Sequence, residues 1–229
     1  MAFENRTDAG RRLARALSAY RDQKPVILAL PRGGVTVAAE IASALAAPLD
    51  LVLVRKIGVP QQPELAMGAV VDGSAPLVVR NEDIIALANV SEAEFTAVCD
   101  SELAEIERRR TRYLGDRARV DVAGRTAIIV DDGIATGATI RAALRATRLR
   151  EPAKLVLAVP VAPTETIEKL RAEADEIICL EAHVYFGAIG LFYDDFGQVS
   201  DQTVIDTLKR FPLQPELQSN RRIRSDEGF

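Results

Sequence analysis

Residues 128–139 read Ile128-Ile129-Val130-Asp131-Asp132-Gly133-Ile134-Ala135-Thr136-Gly137-Ala138-Thr139. Three branched apolar residues in succession suit a buried strand. Two adjacent carboxylates stand at its end, and a short Gly/Thr turn leads into the helical-looking residues 140–149. A strand, a polar turn and a helix N-terminus in that order make a docking place for an anion, because the first-turn N–H groups of a helix lack intrahelical acceptors and point outward. The two acids add acceptors for the hydroxyls of a sugar. The stretch therefore reads as a sugar-phosphate site; the plainer alternative is a βα turn with solvated acids.

Working outward, residues 26–30 read as a buried strand, followed by Pro31-Arg32-Gly33-Gly34 and an Ala-rich helix to about residue 46. Residues 49–54 form another buried strand ended by Arg55-Lys56, and 57–64, with Gly58, Pro60 and Pro63, reads as an exposed loop. Residues 66–71 and 77–79 flank Asp72-Gly73, a hairpin turn. Residues 91–113 form a long helix with a capping box, Ser91 and Glu94, and apolar Phe95, Cys99, Leu103 and Ile106. Strands at 154–159 and 176–180 bracket a helix at 165–174, and Thr7 or Asp8 caps an opening helix to about residue 20. Strands alternating with helices across short turns predict an α/β fold, a doubly wound, mostly parallel sheet covered on both faces. Ligands then bind at the C-terminal ends of the strands, where each of these motifs lies. The chain reads as a single domain over 1–215, with a polar, charged tail at 216–229 expected to be disordered.

Composition narrows the function classes. The 229 residues carry a formal charge of −4 and a pI near 5.3, which argues against an electrostatic grip on bulk nucleic acid. Cys99 and Cys179 stand far apart in different contexts, with neither disulfide nor zinc spacing, and Cys179 reads as a core thiol in the apolar run 177–180. No apolar run approaches membrane length and the first residues have no apolar signal core, so the expectation is a cytoplasmic protein with no membrane partner.

The 128–139 stretch resembles the signature of type I phosphoribosyltransferases. The resemblance implies that Ala135, Thr136, Gly137, Ala138 and Thr139 hold the 5-phosphate of phosphoribosyl pyrophosphate (PRPP). It implies that Asp131 and Asp132 contact the ribose and, directly or through water, Mg²⁺. Pro31, Arg32, Gly33 and Gly34 match the family's pyrophosphate loop, where a non-proline cis peptide is expected. Paired glycines let the backbone approach an anion, and Arg32 offers a fork of donors. Arg55-Lys56 is similar to the pair that leads into the mobile catalytic loop of adenine and orotate members; Lys56 would meet the pyrophosphate, while Arg55 reads equally as a solvated cation. With Arg32, Lys56, Asp131 and Asp132 as the catalytic set, the implied activity is Mg²⁺-dependent transfer of phosphoribose to a nitrogenous, purine- or nucleobase-like acceptor.

Residues 186–196 are dense in aromatics in a chain with only 5% aromatic residues, and they resemble the hood of purine enzymes, here approximately 181–199. On that resemblance Phe186 stacks on a planar acceptor and Asp194 reads its edge; a packing corner or subunit contact is the alternative. The lone His183 reads as structural. The 91–113 helix departs from the minimal family pattern and reads as a cap or a subunit contact in an expected homodimer. Arg108-Arg109-Arg110, Arg112, Arg141, Arg145, Arg148 and Arg150 read as solvated helix faces. Were they a binding patch, the chain would instead be a non-catalytic, PRPP-sensing or nucleic-acid-binding regulator on the same fold.

Overall fold

The computed structural model describes residues 2–73 and 76–212; the tail expected at 216–229 lies outside the described residues. The first helix, α1 (Arg6–Ala16), is capped not by Thr7 or Asp8 but by Asn5, whose side chain accepts from the Asp8 N–H at 3.0 Å. β1 (Val26–Ala29) is buried at every residue and feeds α2 (Gly33–Leu45) and then β2 (Leu49–Leu51). β3 (Val54–Val59), β4 (Gln62–Val71) and β5 (Leu77–Arg80) form a separate antiparallel sheet. After the short α3 (Glu82–Leu87), the long α4 (Glu92–Leu114) starts on the expected capping box, with both reciprocal bonds between Ser91 and Glu94 formed. β6 (Thr126–Val130), α5 (Ala138–Arg148), β7 (Lys154–Pro163), α6 (Thr164–Leu170) and β8 (Glu176–His183) complete the alternation, and α7 (Asp201–Lys209) closes the described chain.

The main sheet has five strands, all parallel, in the order β2-β1-β6-β7-β8. Alternate residues of its central strands enter two different cores. Ile27, Ala29, Ile128 and Val130 pack with Leu13 of α1, Ile41 of α2 and Val204 of α7. Val26, Leu28, Ala127 and Ile129 pack with Ile140 and Leu144 of α5 and Leu170 of α6. Both faces are thus covered, as a parallel sheet requires. The chain steps from β1 to β2 on one side and then crosses to lay β6 on the other. The C-terminal ends of β1 and β6 therefore flank the topological switch point, where the two connections diverge and leave a crevice.

Two expectations need correction. Arg55 and Lys56 do not end the second core strand; they lie within β3, and the supposed loop 57–64 is the hairpin that joins β3 to β4. Gly58, Pro60 and Pro63 suggested a loop, yet Ile57 and Val59 point inward and are buried, and the ladder accommodates Gly58 by a register shift. Similarly, β7 and β8 run past residues 159 and 180 and stay paired as far as Pro163 and His183. The ladder skips Pro160, which has no N–H to donate, and resumes between Val161 and Glu181.

The switch point is closely packed. The Leu30 N–H donates to the Val130 carbonyl at 3.0 Å, and the turn then passes so near β6 that a Cβ on Gly34 would lie 2.8 Å from the Val130 oxygen and 2.9 Å from the Asp131 Cα. Both obstacles are backbone and cannot rotate aside. Gly34→Ala should therefore lower unfolding stability by about 1–3 kcal/mol, as overpacked sites do; urea denaturation checks this.

Candidate functional site

Two turns meet at the crevice. The β1–α2 turn carries Pro31, Arg32, Gly33 and Gly34, and the peptide between Pro31 and Arg32 is cis. The β6–α5 turn carries Asp131 and Asp132. A Cβ on Gly33 would overlap the Asp132 carboxylate, so glycine is what allows the two turns to touch. Beyond the acids, Ala135, Thr136, Ala138 and Thr139 are exposed and Gly137 is buried. Gly137 occupies the N-cap of α5 at φ 77°, with no side chain capping the helix. The first-turn amides of α5 therefore open onto the same end of the sheet as the acids, a ready anion cradle. Thr166 of α6 steadies this turn by donating its hydroxyl to the Ala135 carbonyl at 3.0 Å.

The acid pair is electrostatically loaded. Asp131 lies in a desolvated position beside a second carboxylate, and burial first, then Asp132, pushes its pKa well above the usual carboxylate range. Its Oδ1 accepts the Asp132 N–H at 2.9 Å. Arg6, the first residue of α1, donates from Nε to Asp132 Oδ2 at 2.7 Å and from a terminal nitrogen to the Gly197 carbonyl at 2.7 Å. Its guanidinium lies 3.8 Å from the centre of the Phe196 ring. The buried Tyr193 donates its hydroxyl to the Asp132 carbonyl at 2.6 Å. Arg6, Tyr193 and Phe196 were not among the residues the sequence singled out. Arg6 is one of several arginines on α1, and only the fold sets it apart from Arg11, Arg12 and Arg15.

The remaining expected residues are placed less centrally. Arg32 points toward α7, 3.6 Å from the Asp201 carboxylate. Asp201 also takes the Tyr113 hydroxyl at 2.6 Å and Arg112 at 2.7 Å. The Tyr113 hydrogen bond is the main cause that holds Asp201 below its ordinary pKa. Through this cluster the C-terminal end of α4 braces the β1–α2 turn. Lys56 bonds Glu64 across its own hairpin at 3.1 Å, while Arg55 turns to the other side and pairs with Glu102 of α4 at 2.5 Å. Phe186 stacks on Phe192 at 4.9 Å, and His183 lies 4.5 Å from the same ring. Asp194 has an exposed side chain, and its N–H donates to the Phe3 carbonyl at 2.8 Å.

Among the described residues no group of three or more His, Cys, Asp or Glu side chains could hold a metal ion. The two motif acids are thus a partial donor set. They suit a hard cation that takes most of its ligands from water and substrate phosphates, as Mg²⁺ commonly does. No helix among the described residues is long and apolar enough to cross a membrane.

A family model described as a phosphoribosyl transferase domain matches residues 2–195. Two curated proteins of Mycobacterium tuberculosis, from strains CDC 1551 / Oshkosh and ATCC 25618 / H37Rv and named only provisionally as phosphoribosyl transferases, are each 45% identical over 208 residues. Those residues are 91% of this chain but 46% of either relative, so the chain spans about half the length of the curated relatives it matches. The crystal structure of a protein from Thermus thermophilus is 39% identical, with a TM-score of 0.80 over 93% of this chain and 100% of that one.

The raised pKa of Asp131 has a consequence for stability. A carboxyl whose folded pKa exceeds its unfolded one favours the fold most below the unfolded value, and that contribution is lost as pH rises through the folded value. Asp131→Asn should therefore raise the melting temperature at neutral pH, and the gain should shrink toward about pH 4, where unfolded Asp itself protonates. Calorimetric scans from acid to neutral pH test the sign.

Proposed function

The chain belongs to the phosphoribosyl transferase domain family, and from that premise we propose that it transfers the 5-phosphoribosyl group of PRPP to a nitrogenous, nucleobase-like acceptor with release of pyrophosphate. The observation that carries the reading is the convergence at one switch point of the glycine turn, the acid pair and the uncapped N-terminus of α5. These supply separate places for the pyrophosphate, the ribose and the 5-phosphate.

In this reading the amides of residues 135–139 anchor the 5-phosphate, and Asp131 and Asp132 orient the ribose hydroxyls. The glycosidic bond to pyrophosphate breaks as the acceptor nitrogen bonds to C1, through a state with oxocarbenium character. The carboxylates lie where that positive charge develops, so the protein acts by placement and charge more than by covalent chemistry. Arg32 and Lys56 neutralise the leaving pyrophosphate; each would exchange its present acid, Asp201 or Glu64, for the ligand. The exposed tip of the β3–β4 hairpin is the element available to cover the site and exclude water. Mg²⁺, held by the acid pair together with PRPP, would supply counter-charge to the pyrophosphate when bound.

Phe186 and Asp194 remain the proposed acceptor contacts, since the Phe186 side chain is only partly buried and that of Asp194 is exposed. Val184 and Tyr185, 79% and 95% exposed, are apolar surface suited to a subunit contact in a homodimer. The two free cysteines fit a reducing, cytoplasmic setting. The regulator alternative draws less support, because the arginine faces are largely neutralised. Arg108 and Arg109 pair with Glu105, Arg112 with Asp201, Arg145 with Glu173, and Arg148 with Asp175.

Pyrophosphate release from PRPP and Mg²⁺ across a panel of nucleobases tests the proposal. At least one base should support turnover, and the double variant Asp131→Asn, Asp132→Asn should lower it by about a hundredfold or more. Binding of PRPP without turnover on any base, or full activity in the double variant, would overturn it.

A further inference from the structure

We infer that Arg6 is a positioning residue for the phosphoribosyl donor, holding the Asp132 carboxylate in the orientation that receives the ribose. The inference rests on the function proposed above and extends it to a residue outside every motif.

The geometry is specific. Asp132 Oδ2 is clamped between the Arg6 Nε, 2.7 Å away, and the bare Cα of Gly33. The Asp132 main chain is held as well, its carbonyl by the Tyr193 hydroxyl and its N–H by Asp131. With both ends restrained, the carboxylate has little freedom to rotate. Both partners of the ion pair are largely shielded, with side chains 11% and 13% exposed, so the contact is far less screened than a surface pair.

Arg6 is itself buttressed by chain remote in sequence. A second guanidinium nitrogen binds the Gly197 carbonyl, and the Phe196 ring lies beneath the plane. The segment around Phe196 is fastened to the N-terminus, where Phe3 donates to Phe192 at 2.7 Å and accepts from Asp194 at 2.8 Å. Phe3 and Tyr193 also form a parallel bridge. The N-terminal segment and the post-β8 segment thus join into one support that presents the Arg6 cation to the acid pair. Helix α1 could have been anchored by apolar contacts alone, as its Leu13 already is. An arginine that reaches the second motif acid is explained by what that acid must do.

The test is PRPP affinity in the presence of Mg²⁺, measured by calorimetry on folded protein, together with steady-state kinetics. Arg6→Ala should weaken PRPP binding by about tenfold or more, because a shielded charge-assisted pair is lost. Arg6→Lys should recover part of the affinity, since it restores the charge without the fork. Phe196→Leu, which leaves the ion pair but removes the ring beneath it, should weaken binding by about threefold. In each case the increase should fall on the KM for PRPP and leave the KM for the acceptor unchanged. A purely structural role would lower the melting temperature while folded protein kept wild-type PRPP affinity, and that result would overturn the inference. If Arg6→Ala fails to fold, Phe196→Leu and Arg6→Lys decide. Wild-type protein that does not bind PRPP would sink the proposed function and this inference together; wild-type binding matched by all three variants would sink the inference alone.

Discussion

The constraint on which the site depends is the contact between two backbone turns at the ends of β1 and β6. These strands are neighbours in the sheet although about a hundred residues separate them, and their following turns have to share one small volume. Gly33 and Gly34 make that possible, the first by leaving room for the Asp132 carboxylate and the second by leaving room for the β6 backbone. Any side chain there would hold the acids away from the β1–α2 turn. Sheet order, glycine placement and the position of the acids are thus one condition.

That closeness has an electrostatic cost, which the protein offsets from elements distant in sequence. Two adjacent carboxylates in a desolvated crevice repel, and the rise in the Asp131 pKa expresses burial first and that repulsion second. Arg6 supplies a nearby counter-charge from α1, and Tyr193 holds the main chain from the segment after β8. On the other flank, Asp201 gathers Arg32, Arg112 and the Tyr113 hydroxyl, so α4 and α7 support the turn that bears Arg32. The long helix α4 thus covers the small sheet with its body and reaches the candidate site with its last turn.

The parts legible in the sequence were those whose signals are local. The apolar run 128–130, the acids and the Gly/Thr turn sit within twelve consecutive residues, and their geometry follows from a strand feeding a helix. The capping box of α4 was equally readable, because its two hydrogen bonds link residues three apart. Misreadings arose where a local breaker was overruled by packing. Gly58, Pro60 and Pro63 suggested a loop, but burial of Ile57 and Val59 against α4 holds that stretch as a hairpin. The strand read at 154–159 was too short for a related reason, because burial of Val161 and Ala162 carries β7 on to Pro163.

By itself, then, the sequence determined the α/β alternation and the strand–turn–helix unit that carries the acid pair, since periodicity, glycine and helix termini act over a few residues. Only the tertiary structure decided the partners of those groups. It placed Lys56 on Glu64 and Arg55 on Glu102, on opposite sides of one strand, because side chains of adjacent strand residues diverge. It chose Arg6 from the arginines of α1, because long-range strand order and the Phe3–Tyr193 bridge alone bring that residue to Asp132. Such a pairing joins residues more than a hundred positions apart and has no signature in either neighbourhood.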